Sequence, residues 1–315
     1  MHAANIADTT VVVPSWNRPE LLPATLRSIR SQVGGPPRIV VVDDGSTEPV
    51  RVPDGVQLIR LDVSGGAGAA RNAGLAAVET TWVAFCDDDD VWAPGKLAAQ
   101  FDALARHPEA RWSYAGAVAV DADLRVLGAQ RARETGWIAA ALLRENVVSG
   151  GGSTVLARTD LVRRVGGFAA GLHAAEDWDM SVRLAQEAQV VAVDRPLVAW
   201  RVHPGNKSGR WTEQGLAELA DRLRPQAAEH GVRFDHAYAA QAVIDRAVAS
   251  GDRRAIAQAY AARFRHGHAP RDAAAAVYGL LAPASLAAAK RRAHRRSVPA
   301  AWEGELAWLE TLGQG

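Results

Sequence analysis

Short apolar runs alternate with amphipathic segments along the first two thirds of the chain. Four short apolar runs predict strands, at residues 9–14, 38–42, 56–61 and 82–86, and the first, rich in β-branched residues, is typical of a buried strand. Apolar residues at helical spacing predict helices over residues 18–32, 69–78 and 94–107. Strands that alternate with helices form mainly parallel sheets covered on both faces, so the pattern predicts an α/β fold.

The pattern changes after residue 208, where alanine-rich helical segments replace the strands. These segments span residues 213–229, 235–250, 252–264 and 271–281. Glycine and proline residues separate them, as expected between helices. We therefore predict two domains, an α/β domain over residues 1–208 and an α-helical region over residues 209–315.

Polar residues that can bind a ligand or take part in catalysis follow the predicted strands directly. Asp43 and Asp44 follow the second strand, a glycine-rich loop at residues 65–71 follows the third, and an aspartate run at residues 87–90 follows the fourth. In open α/β sheets, ligands bind beyond the carboxyl ends of the strands. The three segments are therefore expected to meet in one crevice.

Composition and charge exclude several classes of protein. The chain has 36 Lys and Arg against 35 Asp and Glu residues, a formal net charge of +1, which argues against a strongly basic nucleic-acid binder. A single cysteine, Cys86, excludes an intramolecular disulfide and a cysteine-rich zinc site. No signal-peptide pattern and no apolar stretch of membrane-spanning length is visible, so we expect a cytoplasmic protein.

Four consecutive carboxylates, Asp87, Asp88, Asp89 and Asp90, stand at the end of the fourth predicted strand. Such neighbours repel one another unless a cation lies among them. Carboxylate oxygens are suitable ligands for Mg²⁺ or Mn²⁺, which use few protein ligands together with substrate phosphates. The alternative is a solvated acidic turn at the start of the next helix, where the helix dipole favours negative charge.

The glycine-rich loop before the second predicted helix suits an anion. Small residues allow backbone N–H groups to approach a phosphate, and Arg71 could pair with it. The alternative is a flexible connection, since the loop matches neither the dinucleotide fingerprint nor the P-loop pattern.

Two later segments carry further candidates. Glu176 and Asp177 precede a predicted helix, where a carboxylate could act as general base or could serve as an ordinary acid at the helix N-terminus. His203 follows a short apolar run, and it is either a Mn²⁺ ligand or a hydrogen-bonded structural residue.

Seven motifs in a fixed order resemble bacterial family 2 glycosyltransferases, which are inverting enzymes with a GT-A fold. The motifs are VVVPSWNRPELLPATLRSIRSQ, IVVVDDGS, GAGAARNAG, VAFCDDDDVW, GGSTVLARTDLVRRVGGF, AAEDWDMSVRLA and WRVHPGNKS. The resemblance covers residues 9–208 and leaves the helical C-terminal region without a counterpart. It implies a GT-A-type, mostly parallel sheet flanked by helices.

The resemblance implies how a nucleotide would be held. Pro14 and Trp16 match positions that line the nucleobase pocket, with Asn17 beside them. Asp44 matches the residue that hydrogen-bonds the base, where a carboxylate suits the N3–H of uracil or thymine. Arg71 matches a position near the base and the phosphates.

The resemblance also assigns the acidic run and the late histidine. Asp89 would bind the divalent metal, with Asp87 or Asp88 near the ribose. The family's middle residue in this DXD element is usually small, so Asp88 leaves the division of roles within the run open. His203 matches a histidine that approaches the metal or the diphosphate.

Asp177 matches the family's general base, and Glu176 lies beside it. The implied reaction moves a sugar from a nucleotide-diphosphosugar, a UDP- or dTDP-sugar, to an acceptor hydroxyl with Mn²⁺ or Mg²⁺ present. The acceptor classes left open are a sugar, a lipid-linked intermediate, a natural product and a peptide. A single displacement inverts the anomeric centre.

Two other functions remain as alternatives. One is a non-catalytic nucleotide-sugar binding module, and the less favoured one is a sugar-phosphate nucleotidylyltransferase, which needs a glycine-rich basic loop where this chain has PSWNRPE. The basic run from Lys290 to Arg296 is either a solvated face or a peripheral contact with a membrane, and we expect no nucleic-acid partner. The helical region would complete the acceptor side or form a homo-oligomer interface.

Overall fold

A computed structural model describes residues 2–148, 150–172, 175–203, 213–235, 244, 253–267, 270–281, 285 and 298–312. Within these residues, nine strands form one sheet. The strands are β1 (Thr9–Ser15), β2 (Arg38–Asp43), β3 (Gln57–Arg60), β4 (Trp82–Phe85), β5 (Val91–Trp92), β6 (Ala110–Val120), β7 (Val126–Gln130), β8 (Leu156–Arg158) and β9 (Gln189–Arg201).

The helices lie between and after these strands. They are α1 (His2–Ala7), α2 (Leu22–Arg30), α3 (Ala67–Ala76), α4 (Lys96–Arg106), α5 (Ala139–Arg144), α6 (Thr159–Arg164), α7 (Glu176–Glu187), α8 (Glu213–Glu229), α9 (Arg253–Gly267), α10 (Pro270–Leu281) and α11 (Trp308–Leu312). Two 3₁₀ helices, Gly151–Thr154 and Ala300–Leu306, complete the described elements.

The sheet order is β3-β2-β1-β4-β8-β6-β9-β5, with β7 paired to β6. The pairs β2–β3, β1–β2 and β1–β4 are parallel, as the alternation of strands and helices predicts. Strand β8 is antiparallel to both of its neighbours, β5 and β7 pair antiparallel with β9 and β6, and β6 runs parallel to β9. The predicted α/β architecture, a sheet flanked by helices, is confirmed, but the sheet is mixed and not mostly parallel because its second half adds antiparallel pairs.

The long strands β6 and β9 are absent from the sequence predictions. Strand β6 is rich in alanine and glycine, residues of low strand propensity, although most of its residues are buried. Strand β9 contains Pro196, which is paired with Gly116 where the register between the two strands shifts. Proline inside an apolar run argues against a strand by sequence rules alone.

Helices cover both faces of the sheet. One apolar cluster joins α3, α5, α7 and α8 to the sheet and includes Leu75, Leu142, Trp178 and Leu219. The other joins α2 and α4 to the opposite face through Leu26 and other buried residues. The last helices return to the sheet edge, where Trp302 and Leu309 pack with residues of β5, β6 and β9.

The predicted helices after residue 208 agree with α8, α9 and α10 over the described residues. Most of the predicted helix at residues 235–250 and all of the basic run from Lys290 to Arg296 lie outside them. The division into domains at residue 208 stays a prediction, and α8 packs directly on α5 and α7. No described helix combines the length and apolarity that a membrane crossing requires.

Candidate active site

The carboxyl ends of β1, β2 and β4 and the start of α7 meet on one side of the sheet. The aspartate run follows β4, Asp44 follows β2, and Glu176 and Asp177 form the first turn of α7. Arg71, on α3, connects two of these groups by pairing with both Asp87 and Glu176. The convergence predicted from the strand ends is therefore present in the structure.

Three members of the aspartate run form a group of oxygen donors. One carboxylate oxygen from each of Asp87, Asp89 and Asp90 lies within 4.8 Å of the others. Burial, together with the charges of Asp89 and Asp87, raises the pKa of Asp90 well above its usual value. Hard oxygen donors at this spacing fit Mg²⁺ or Mn²⁺, and a bound cation would offset the mutual repulsion.

Asp88 is not a member of this group and supports the loop after β1. Its Oδ2 accepts a hydrogen bond from Ser15 Oγ at 2.8 Å, and its Oδ1 accepts one from Arg18 Nη1 at 3.1 Å. Arg18 also pairs with Asp89 and is only 10 % exposed. The sequence analysis missed Arg18, although it lies inside the first quoted motif.

Asp89 is contacted by three basic residues. Besides Arg18, His203 Nε2 lies 3.1 Å from its Oδ2, and Arg201 Nη1 donates to its backbone carbonyl at 3.1 Å. The structure thus brings His203 to the predicted metal-binding aspartate. Direct ligation by His203 stays a prediction.

Arg71 is buried between the two acidic groups. Its Nη1 donates to Glu176 Oε1 at 2.7 Å, its Nη2 pairs with Asp87, and its guanidinium lies 5.1 Å from the centre of the Phe168 ring. These two carboxylates keep the pKa of Arg71 above its ordinary value in spite of burial. Its Nε is buried without a hydrogen-bond partner among the described residues. This N–H group of Arg71 is therefore available to donate a hydrogen bond to a ligand.

Asp177 is a buried carboxylate with a raised pKa, and its role as general base stays a prediction. Burial, and next the charge of Glu176, raises its pKa to about 6. Its Oδ1 accepts a hydrogen bond from Trp178 N at 2.8 Å, and no described residue donates to Oδ2. Ala175, just before the pair, has a left-handed backbone with φ of 58°. At neutral pH, Asp177 is therefore largely ionised, yet more basic than an ordinary aspartate.

The 3₁₀ helix Gly151–Thr154 touches both parts of the site. Ser153 Oγ donates to Asp90 Oδ2 at 2.5 Å and accepts a hydrogen bond from Asp87 N at 3.0 Å. Gly151 lies against Asp177 and has φ of +61°. A Cβ atom at Gly151 would lie 2.4 Å from Asp177 Oδ2, so only glycine leaves room for this carboxylate. Sequence analysis missed Ser153 and Gly151, although both lie in or beside the quoted GGSTVLARTDLVRRVGGF motif.

Replacing Gly151 with alanine is expected to lower kcat by about 10²-fold, because a displacement of about 1 Å at a reacting group has an effect of that size. The matched control is Gly55→Ala, since Gly55 also has positive φ, of +80°, but has nothing within 4 Å of an added Cβ. Both variants carry the backbone strain, and only one disturbs Asp177. Equal rates for the two variants would show that the position of the Asp177 carboxylate does not affect kcat.

Asp44 anchors the glycine-rich loop. Its carboxylate is fully buried and accepts hydrogen bonds from Ser64 Oγ at 2.8 Å, Gly65 N at 2.8 Å and Gly66 N at 2.9 Å. The two loop amides expected to face a phosphate therefore face Asp44. A carboxylate has about four acceptor positions, and three are occupied by this loop, which also covers the side chain, so a base N–H would reach Asp44 only if the loop moved. The nucleobase contact of Asp44 stays a prediction.

The remaining predicted nucleotide-binding residues lie at the end of β1. Pro14 is buried in the strand, Trp16 is half-buried, and Asn17 is exposed with φ of 54°. Asn17 connects this loop to the one after β2, since its N–H donates to Ser46 Oγ at 2.9 Å and its Oδ1 accepts from Thr47 N at 2.9 Å. Their contacts with a nucleotide stay predictions.

Comparison with known proteins finds similarity to glycosyltransferases. Residues 10–117 match the sequence model of Glycosyl transferase family 2. An uncharacterised glycosyltransferase of Haemophilus influenzae is 27 % identical over 231 residues, 71 % of this chain and 77 % of that protein. The pre-mycofactocin glycosyltransferase of Mycobacterium tuberculosis is 31 % identical over 189 residues, 57 % of this chain but only 39 % of the longer relative.

Solved structures agree on the fold. The S. aureus TarS 1-349 structure in complex with UDP has a TM-score of 0.50 and 19 % identity, covering 82 % of this chain and 88 % of that one. The complex of the same protein with UDP-GlcNAc has a TM-score of 0.51 and 16 % identity, covering 91 % of both chains. Fold and comparisons together indicate an enzyme, a glycosyltransferase with a GT-A fold. The similarity to glycosyltransferase family 2 lies in residues 10–117, the part of the chain that the family model matches.

Proposed function

We propose that the protein transfers a sugar from a nucleotide-diphosphosugar, a UDP- or dTDP-sugar, to an acceptor hydroxyl, with inversion at the anomeric carbon. The observation that carries this proposal is the arrangement around Arg71. This residue joins a carboxylate group suited to a divalent cation, at Asp87, to the acid pair that begins α7. A donor diphosphate and an acceptor hydroxyl need these two groups side by side.

In the proposed reaction, Asp177 takes the proton from the acceptor hydroxyl. The acceptor oxygen then forms a bond to the anomeric carbon as the bond from that carbon to the diphosphate oxygen breaks. The electron pair of the broken bond leaves with the nucleoside diphosphate. The raised pKa of Asp177, about 6, supports this role because it makes the carboxylate a better proton acceptor while it remains ionised at neutral pH.

Asp87, Asp89 and Asp90 are the residues that would hold Mg²⁺ or Mn²⁺, and His203 is a candidate fourth ligand beside Asp89. The ion supplies Lewis-acid chemistry, neutralising charge on the departing diphosphate. Arg18 now pairs with Asp88 and Asp89, and we propose that it exchanges these carboxylates for a donor phosphate when the cation binds.

The preference for a pyrimidine base gives a direct binding prediction. If the remaining acceptor position of Asp44 takes a base N3–H, UDP should bind more tightly than ADP, which lacks that donor. Calorimetry with both nucleotides in the presence of Mn²⁺ measures this difference, with Asp44→Asn as the variant and Asp54→Asn, in the exposed turn before β3, as its control. Tighter binding of ADP would contradict the assignment.

A donor panel tests the proposed function as a whole. UDP-, dTDP-, GDP- and ADP-sugars are incubated with the protein and Mn²⁺, and the released nucleotide is measured with and without EDTA. We expect release from a uridine or thymidine donor that EDTA abolishes. Binding without release would favour a non-catalytic module, and diphosphate formation from a nucleoside triphosphate and a sugar phosphate would favour a nucleotidylyltransferase.

The proposal also covers the cellular location, the acceptor and the C-terminal region. It keeps the cytoplasmic location and the open choice among sugar, lipid-linked, natural-product and peptide acceptors made from the sequence. The region of residues 209–315 is proposed to complete the acceptor side or to form an oligomer interface, and the packing of α8 on α7 supports the first option. The basic run proposed to contact a membrane surface lies outside the described residues.

A further inference from the structure

A segment outside the family match packs against α7 and contacts residues of its first turn. This segment, residues 213–235, consists of α8 and the stretch that follows it. Three of its apolar residues, Leu219, Leu223 and Ala227, are buried in the same cluster as α5 and α7. It therefore packs as part of the enzyme core, next to α5 and α7.

A buried carboxylate makes the strongest connection. Asp179 is fully buried, two residues after Asp177, and its Oδ2 accepts hydrogen bonds from Arg183 Nε at 2.9 Å and Arg183 Nη2 at 2.6 Å. Its other oxygen, Oδ1, pairs with Arg222 Nε from α8. A buried carboxylate that loses one of its cationic partners is strongly destabilised, so this pairing fixes the helix turn that carries Asp179.

An aromatic contact makes the second connection. The rings of Trp178 and Phe234 are stacked, with centres 5.6 Å apart and planes at 23°. Trp178 Nε1 also donates to the carbonyl of Leu142 at 2.8 Å, which fixes the other end of the indole. Trp178 follows Asp177 directly, and its backbone N–H donates to the Asp177 carboxylate.

We infer that residues 213–235 position the Glu176–Asp177 pair, with Arg222 and Phe234 as the positioning residues. The inference rests on the proposed role of Asp177. A helical turn is stiff, so a shift at Asp179 or Trp178 moves the Asp177 carboxylate, and such shifts change kcat far more than nucleotide binding. The nucleotide is expected to bind at the ends of β1, β2 and β4, which Arg222 does not reach directly.

The experiment compares Arg222→Gln with Arg224→Gln. Arg224 lies on the same helix, is 56 % exposed and pairs only with Asp221 among the described contacts, so its loss removes the same charge without touching Asp179. We expect Arg222→Gln to lower kcat by about tenfold, a fraction of the effect of a displacement of about 1 Å. The dissociation constant for UDP should stay unchanged, and Arg222→Lys should recover most of the rate.

A double-mutant cycle with Asp177→Asn separates positioning from other effects. If Arg222 acts through Asp177, then Arg222→Gln changes the rate little once Asp177 has been replaced. A wild-type kcat in Arg222→Gln, an undiminished effect in the Asp177→Asn background, or a parallel loss of UDP affinity would each overturn the inference. If Arg222→Gln does not fold, Phe234→Leu, which removes the ring stacked on Trp178, carries the same comparison.

The rates of Asp177→Asn and Arg222→Gln distinguish a failure of this inference from a failure of the proposed function. A wild-type rate for Asp177→Asn defeats the assignment of Asp177 as base. A slow Asp177→Asn combined with an unimpaired Arg222→Gln defeats only the positioning role of residues 213–235.

Discussion

Replacing Asp177 with asparagine is expected to lower kcat by about 10²–10⁴-fold, the usual contribution of a general base. Asparagine keeps the size of the side chain and can still accept a hydrogen bond from Trp178 N, the contact that Asp177 Oδ1 makes in the structure. The affinity for UDP, measured by calorimetry, should change little because the predicted nucleotide contacts lie at the strand ends.

The pH dependence of kcat gives a second measurement on the same residue. A base must be deprotonated to act, so the rate should fall as the pH drops through the pKa of Asp177, about 6. Burial and the neighbouring charge of Glu176 place this acidic limb of the pH–rate profile at a higher pH than an ordinary aspartate would give. In Asp177→Asn the limb should disappear.

Two further variants serve as controls for Asp177. Asp160→Asn changes the same residue type in the first turn of α6, where the carboxylate is about half exposed and pairs with surface arginines, so it should be nearly silent. Glu176→Gln removes one of the partners of Arg71 and should be milder than Asp177→Asn. If Glu176→Gln is inactive while Asp177→Asn turns over normally, the two roles must be exchanged.

Replacing Asp89 with alanine should remove metal-dependent turnover, with a loss of at least about 10²–10³-fold, since Lewis-acid stabilisation is worth several kcal/mol. Asp89 belongs to the group of three oxygen donors and also contacts His203 and Arg18. Arg18 retains its pair with Asp88 in the variant, so the fold should survive.

The direct readout for Asp89 is Mn²⁺ binding by electron paramagnetic resonance, which does not depend on turnover. Asp89→Asn, which keeps the volume of the side chain, is the second variant, and Asp123→Ala in an exposed turn is the control. Wild-type Mn²⁺ affinity in both Asp89 variants would remove this residue from the metal site.

Periodicity predicts the first half of the sheet because each strand there is a short apolar run. The buried runs of β1, β2 and β4 are rich in valine, and each is followed by polar residues, so both the strand and the crevice follow from local pattern. Strands β6 and β9 depend on pairing with each other, and that pairing stabilises an alanine-rich strand and one that contains a proline. A local pattern does not contain this information.

Some residues of the candidate site also follow from local sequence, whereas the contacts between them do not. The positions of Asp89 and Asp177 come from motifs, whereas the contact that joins their segments, from Arg71 to Glu176, spans 105 residues of sequence. Arg18 carries no periodic signal, and its role follows only from the two carboxylates that it meets. Asp44 was assigned to a nucleobase, and the structure adds its hydrogen bonds to the loop at Gly65.

The anomeric configuration of the first sugar released tests the central claim, a single displacement assisted by Asp177. Water can replace the unidentified acceptor, so the measurement needs only a UDP- or dTDP-linked α-sugar that the protein hydrolyses. Proton nuclear magnetic resonance recorded at once, before mutarotation, distinguishes the two anomers. The account predicts the β-anomer, released only when Mn²⁺ or Mg²⁺ is present and slowed in Asp177→Asn. Initial release of the α-anomer would contradict it.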